Sequence, residues 1–188
     1  MIEKVDTMKK TNNLVEILST RKAKYIIGTI LFSGLGIAIP RIFHLLIGSS
    51  AGVTFLPMHL MVLIAALTFG ITSASVVAGS SVIFSYLLTG MPAIDRMPYM
   101  LIELLIYGIL LGLFNKRFNS YVSLVVTMII GRILYAGVLY ISVNLLGFNG
   151  YGISVIQSTI SGIPGIIIQL LCVPFLAKII KKGIKLDA

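Results

Sequence analysis

The chain has 188 residues, of which 57% are hydrophobic and only 11% charged, and its mean hydropathy is +1.04. A soluble domain of this length covers itself with far more charge, about 25% in an average protein, so this surface must meet something apolar, and a bilayer answers that need. The net charge of +9 does not point to nucleic acid, because the basic residues cluster between apolar runs and form no stripe interleaved with aromatics.

In chain order, residues 1–24 form a polar tail. Within it Leu14, Val15, Ile17 and Leu18 recur at helical spacing, which suits a short helix lying on the inner membrane surface. Residues 25–178 carry six apolar runs, and 179–188 are a basic tail. The first run, Tyr25 to about Leu46, is interrupted late by Pro40-Arg41. Its Gly36-Ile37-Ala38 has the look of a signal-peptidase site, but the run continues past it, so a retained helix is expected. The second run opens at Pro57 and ends at Gly70, short of the roughly 20 residues that cross a bilayer. A tilted helix, or one packed inside the bundle, would resolve that shortfall. The others are Thr72–Leu88, Met97–Phe114, Tyr121–Leu146 and about Val155–Ala177. The expected fold is therefore an all-α integral membrane protein, a compact bundle of six transmembrane helices.

Charge sets the orientation. Lys4, Lys9, Lys10, Arg21, Lys22 and Lys24 precede the first run, Lys116 and Arg117 lie between the fourth and fifth, and Lys178, Lys181, Lys182 and Lys185 end the chain. Six crossings put all of these on one side, and the positive-inside rule makes that side the cytoplasm, with both termini in it. Glycines inside the runs, such as Gly28, Gly36, Gly108 and Gly131, predict closely approached helices.

Two ionisable residues lie where ionisable groups are costly. Glu103 is about six residues, or roughly 9 Å, inside the fourth run, and Arg132 is near the middle of the fifth. They are within reach of one another, either as a structural ion pair or as contacts to a ligand. Other polar groups gather toward the outer end: His59, Tyr86, Tyr135, Asn144 and Gln157. Each alone would serve as an interfacial anchor or cap. Together with outer connections that are longer than the inner ones, they mark a pocket open to the outside. Apolar walls with a few polar groups suit a small molecule.

Several chemistries are missing. There is no phosphate loop, no H-E-x-x-H and no carboxylate pair placed for a metal or for acid–base work, so neither enzyme activity nor a bound cofactor is expected. An intramembrane serine hydrolase would have to pair Ser73, Ser75, Ser80 or Ser81 with His59, and helix packing is the simpler use of those serines. The lone cysteine, Cys172, is expected as a buried thiol in an apolar run.

Six helices in under 200 residues, basic inner flanks and polar outer loops resemble the substrate-binding S components of energy-coupling factor transporters. The resemblance is carried by Leu56-Pro57-Met58-His59, by Leu88-Thr89-Gly90-Met91-Pro92, and by Pro98, Glu103, Tyr107-Gly108 and Gly112. It implies a subunit of a bacterial cell membrane that captures a vitamin or cofactor precursor from outside. It also implies partners: a transmembrane T component and two cytoplasmic ATPases that supply the energy. The family often docks through A-x-x-x-A in its first helix. Here the nearest matches are Thr29-x-x-x-Ser33 and Gly34-x-x-x-Ala38. A self-sufficient secondary carrier or channel is the alternative, separated by whether uptake needs the ATPases.

Overall fold

The computed structural model describes residues 20–48, 51–144 and 155–184. The expected interfacial helix, the loop around Asn149 and Tyr151, and Lys185 lie outside the described residues. Those described form eight helices and no strand: α1 (Arg21–Ile47), α2 (Ala51–Phe55), α3 (Pro57–Phe69), α4 (Ile71–Thr89), α5 (Met97–Phe114), α6 (Ser120–Asn144), α7 (Val155–Ser161) and α8 (Ile163–Gly183). Five of them, α1, α4, α5, α6 and α8, are long and apolar enough to cross a membrane. The protein is an all-α membrane bundle.

The short helix is its centre. At 13 residues α3 rises only about 20 Å, less than a hydrocarbon core. Twelve of those residues are buried, Leu60 alone being half-buried. It packs against α1, α4, α5 and α8, which cover it on every side. Because neighbours surround it, the helix is apolar all round and shows no exposed stripe. By contrast the long helices bury one face and leave large apolar side chains outside, as Ile26, Ile30 and Leu31 on α1 or Phe84 and Leu87 on α4.

Close approach at the glycines explains the compactness. A side chain at Gly28 would run into the Phe69 ring, one at Gly36 into the Ser81 hydroxyl, and one at Gly108 into Ala74 and Val62. Hydroxyls join the same contacts: Thr29 Oγ1 is 2.9 Å from Ser73 Oγ, and Ser33 Oγ is 2.7 Å from Ser80 Oγ, both between α1 and α4. Packing across small and hydroxylated residues is how helices associate where lipid supplies no hydrophobic drive.

Helix boundaries follow local chemistry. Thr20 caps α1 by accepting a hydrogen bond from the Ala23 amide at 3.3 Å. The helix then runs through Pro40, where the sequence suggested a break. Gly70 alone joins α3 to α4 at φ 84°, a conformation that costs a residue with a Cβ dearly. The last run is divided, α7 ending at Ser161 and α8 beginning at Ile163 with Pro164 in its first turn. Cys172 is half-buried, not enclosed as expected, because α8 turns that side outward.

The ends of the helices sort cleanly. Lys24 Nζ donates to the Ile184 carbonyl at 2.9 Å, so the start of α1 and the end of α8 meet. Tyr25 stacks edge-on against Phe69 with ring centres 5.4 Å apart, and Ile71 abuts Gly112 near the end of α5. The described basic groups at 21–24, 116–117 and 178–182 therefore share one end of the bundle. The opposite end holds the site.

Candidate binding site

At that opposite end the helices enclose a cavity of about 670 Å³. Its size is within the range of small-molecule sites, about 300–1,000 Å³. Five of the long or central helices contribute: α1 through Pro40 and His44, α3 through Pro57–His59, α4 through Ser85, α5 through Met100 and Glu103, and α6 through Arg132 and Tyr135. The connection from Gly90 to Arg96, which includes a cis Met91–Pro92 peptide, forms the exposed rim. Gln157 and Ser161 of α7 close another side, whereas α8 contributes nothing to the lining.

How the floor is built begins at Leu56. This residue adopts a left-handed conformation, φ 48° and ψ 47°, between α2 and α3. For a residue with a Cβ that conformation costs roughly 1–2 kcal/mol. Its surroundings hold it there: the side chain is buried, and its carbonyl accepts a hydrogen bond from Gln169 Nε2 at 3.3 Å. Gly165 adds to this, since a Cβ there would come within 2.8 Å of the Thr54 and Phe55 backbone. The turn aims the first residues of α3, including His59, into the bundle.

His59 then meets two groups on α5. Its ring lies edge-on to Tyr107, centres 5.6 Å apart at 69°, and its Nε2 is 3.6 Å from Glu103 Oε1. That separation is just beyond a hydrogen bond. From α6, Arg132 Nη1 donates to the same Oε1 at 2.8 Å. Gly131 allows this, because any larger residue would press on the Tyr107 ring. Side-chain exposures of 7%, 9% and 15% for His59, Glu103 and Arg132 place the three at the floor. Neither nitrogen of His59 nor the Arg132 Nε has a hydrogen-bond partner. Buried polar atoms left this way usually signal water, an ion or a ligand.

The residues anticipated from sequence divide on this geometry. Glu103, Arg132, His59, Tyr135 and Gln157 line the cavity. Tyr86 does not, because the helix rotates it away and presents Ser85 instead. Asn144 is exposed at the end of α6, its Nδ2 donating to the Tyr140 carbonyl at 3.0 Å. Asp95 and Arg96, expected in an outer loop closing the pocket, also belong to the lining, as do Met58 and Met100, which were not expected there. The two small-residue pairs of α1 also separate. Thr29 and Ser33 are committed to α4, while Gly34 and Ala38 face outward, with open space around Gly34. No cluster of metal-ligating side chains exists among the described residues.

Comparison with protein-family models, with curated proteins and with solved structures finds no match for this chain.

Proposed function

We propose that this chain is the substrate-capture subunit, the S component, of an energy-coupling factor transporter in a bacterial cell membrane. In that role it binds a vitamin or cofactor precursor from outside and hands it to a T component driven by two cytoplasmic ATPases. The observation that carries the proposal is the cavity floored by His59, Glu103 and Arg132, at the bundle end opposite the basic helix termini. A capture protein needs an accessible pocket on one side and, on the other, no chemistry of its own beyond docking.

Six crossings, with α3 and the α2 turn together making the second, return both ends of the chain to the cytoplasm. The positive-inside rule supports this, since Arg21, Lys22, Lys24, Lys116, Arg117, Lys178, Lys181 and Lys182 gather at one end and only Arg41 and Arg96 of the described helix-flanking basic residues lie toward the other. The resemblance through Leu56-Pro57-Met58-His59 gains physical sense, because those residues form the turn and the first edge of the floor.

The test is energetic dependence. Membrane vesicles containing this chain with its T component and ATPases should take up the ligand that co-purifies with it, identified by mass spectrometry. Omission of the ATPases should abolish accumulation while leaving binding. Accumulation by this chain alone in liposomes would establish a secondary carrier instead.

A further inference from the structure

Glu103 and Arg132 meet at a single point. Arg132 Nη1 donates to Glu103 Oε1, and the His59 contact falls on that same oxygen. Oε2 takes neither, and the second amino group of the guanidinium makes no bond to the carboxylate. A forked pair with two parallel bonds would have tied both carboxylate oxygens to the guanidinium. Here a half-used carboxylate and a half-used guanidinium stand side by side in the cavity lining.

The lining is also balanced in charge. Asp95 and Glu103 are matched in number by Arg96 and Arg132, so the formal charge of its carboxylates and guanidinium groups is zero. An anionic ligand would have to approach Arg132 beside a carboxylate that already occupies it at 2.8 Å. A cation would meet the guanidinium in the same way. Either one would bring an uncompensated charge against a floor whose His59, Glu103 and Arg132 side chains are largely buried, which costs far more than a neutral polar group that finds its hydrogen bonds.

We propose that the cavity takes a ligand without net charge whose polar edge sets an N–H donor beside a carbonyl or ring-nitrogen acceptor, as in a carboxamide, a cyclic amide or an aminopyrimidine. The donor rests on Glu103 Oε2 and the acceptor on the free amino group of Arg132. The remainder of the molecule packs on Pro57, Met58, Met91, Pro92 and Met100, and methionines adapt well to the outline of a flat ring. Phosphate esters and free acids of the same rings are rejected. The inference rests on the cavity being the capture site, and it narrows what is captured.

Matched compounds test it on the full chain in nanodiscs, by thermal shift and calorimetry: nicotinamide against nicotinate, cytosine against orotate, and cytidine against its monophosphate. At least one uncharged member should raise the Tm while its anionic counterpart leaves it unchanged. Glu103→Gln should then bind that member about tenfold more weakly, the loss of one charge-assisted hydrogen bond. Glu103→Asp, which keeps the carboxylate, should retain the preference for the uncharged member. Stronger binding of the anionic member, tighter binding after Glu103→Gln, or no response to any uncharged member would overturn the proposal. ATPase-dependent uptake of an anionic compound would leave the capture role standing and remove only the ligand class. Uptake of an uncharged amide without ATPases would do the reverse.

Discussion

Gln169 Nε2, on the last helix, donates to the Leu56 carbonyl across 3.3 Å and so fixes the turn from which α3 starts. Both groups are buried. Gln169→Leu keeps the volume but removes one of the two hydrogen bonds that the carbonyl accepts, the Leu60 amide remaining at 3.2 Å, at a cost of about 0.5–1.5 kcal/mol. The Tm in detergent should fall, and ligand affinity should fall with it, because His59 follows three residues after the released turn. An unchanged Tm would show that the Leu56 conformation is held by packing alone.

The ion pair on the floor makes a sharper prediction. Arg132→Ala leaves the buried Glu103 carboxylate without its arginine, and breaking a buried pair in this way costs about 3–5 kcal/mol. The double change Glu103→Gln with Arg132→Gln removes both charges and should recover most of the lost thermal stability. If the recovered protein no longer binds ligand, the pair serves the site. Retained binding would confine it to packing.

Two glycines two residues apart on α1 should behave oppositely. Gly36→Leu drives a side chain into Ser81 and must separate α1 from α4, so folded yield and Tm should drop. Gly34→Leu meets nothing within 4 Å and should fold normally. On the outward face beside Ala38, however, under the proposed S-component role it should weaken co-purification with a T component while leaving ligand binding intact. Normal assembly of that variant would move the docking surface to another helix.

Accessibility checks the orientation. In a Cys172→Ser background, cysteines at Lys116 and Lys182 should resist an impermeant thiol reagent in intact cells, and one at Ala93, on the cavity rim, should react. Reaction at Lys116 from outside would reverse the assignment of the basic end to the cytoplasm.

Much of the architecture is legible in hydropathy. The run Met97–Phe114 is α5 residue for residue, and Pro57–Gly70 differs from α3 only by its final glycine. Other features were harder to read. The division of α7 from α8 falls at Gly162, where Ser161, Gly162 and Pro164 are breakers that reading one apolar run from Val155 to Ala177 passes over, and α2 is too short to register as a period. Pro40 misleads because a proline inside a membrane helix need not end it. At the site, Glu103 and Arg132 stand out as charges inside apolar runs, the strongest clue a membrane sequence offers. Tyr86 was misplaced for a subtler reason. One residue is a rotation of about 100° on a helix, and the buried face of α4, running through Ala78, Ser81, Val82 and Ser85, is what points to Ser85. Nothing in the linear order announces that His59 would lie beside Glu103.

The single glycine between α3 and α4 bears on how the protein is made. A translocon partitions a segment into lipid by its length and apolarity, and 13 residues with no lipid-facing side is a poor candidate to enter alone. With Gly70 as the sole connection, α3 stays fastened to α4, whose 19 residues suffice to cross. The two therefore insert as one helical hairpin. The central helix reaches its place by being carried, and α5 and α8 close over it only after they have emerged from the ribosome.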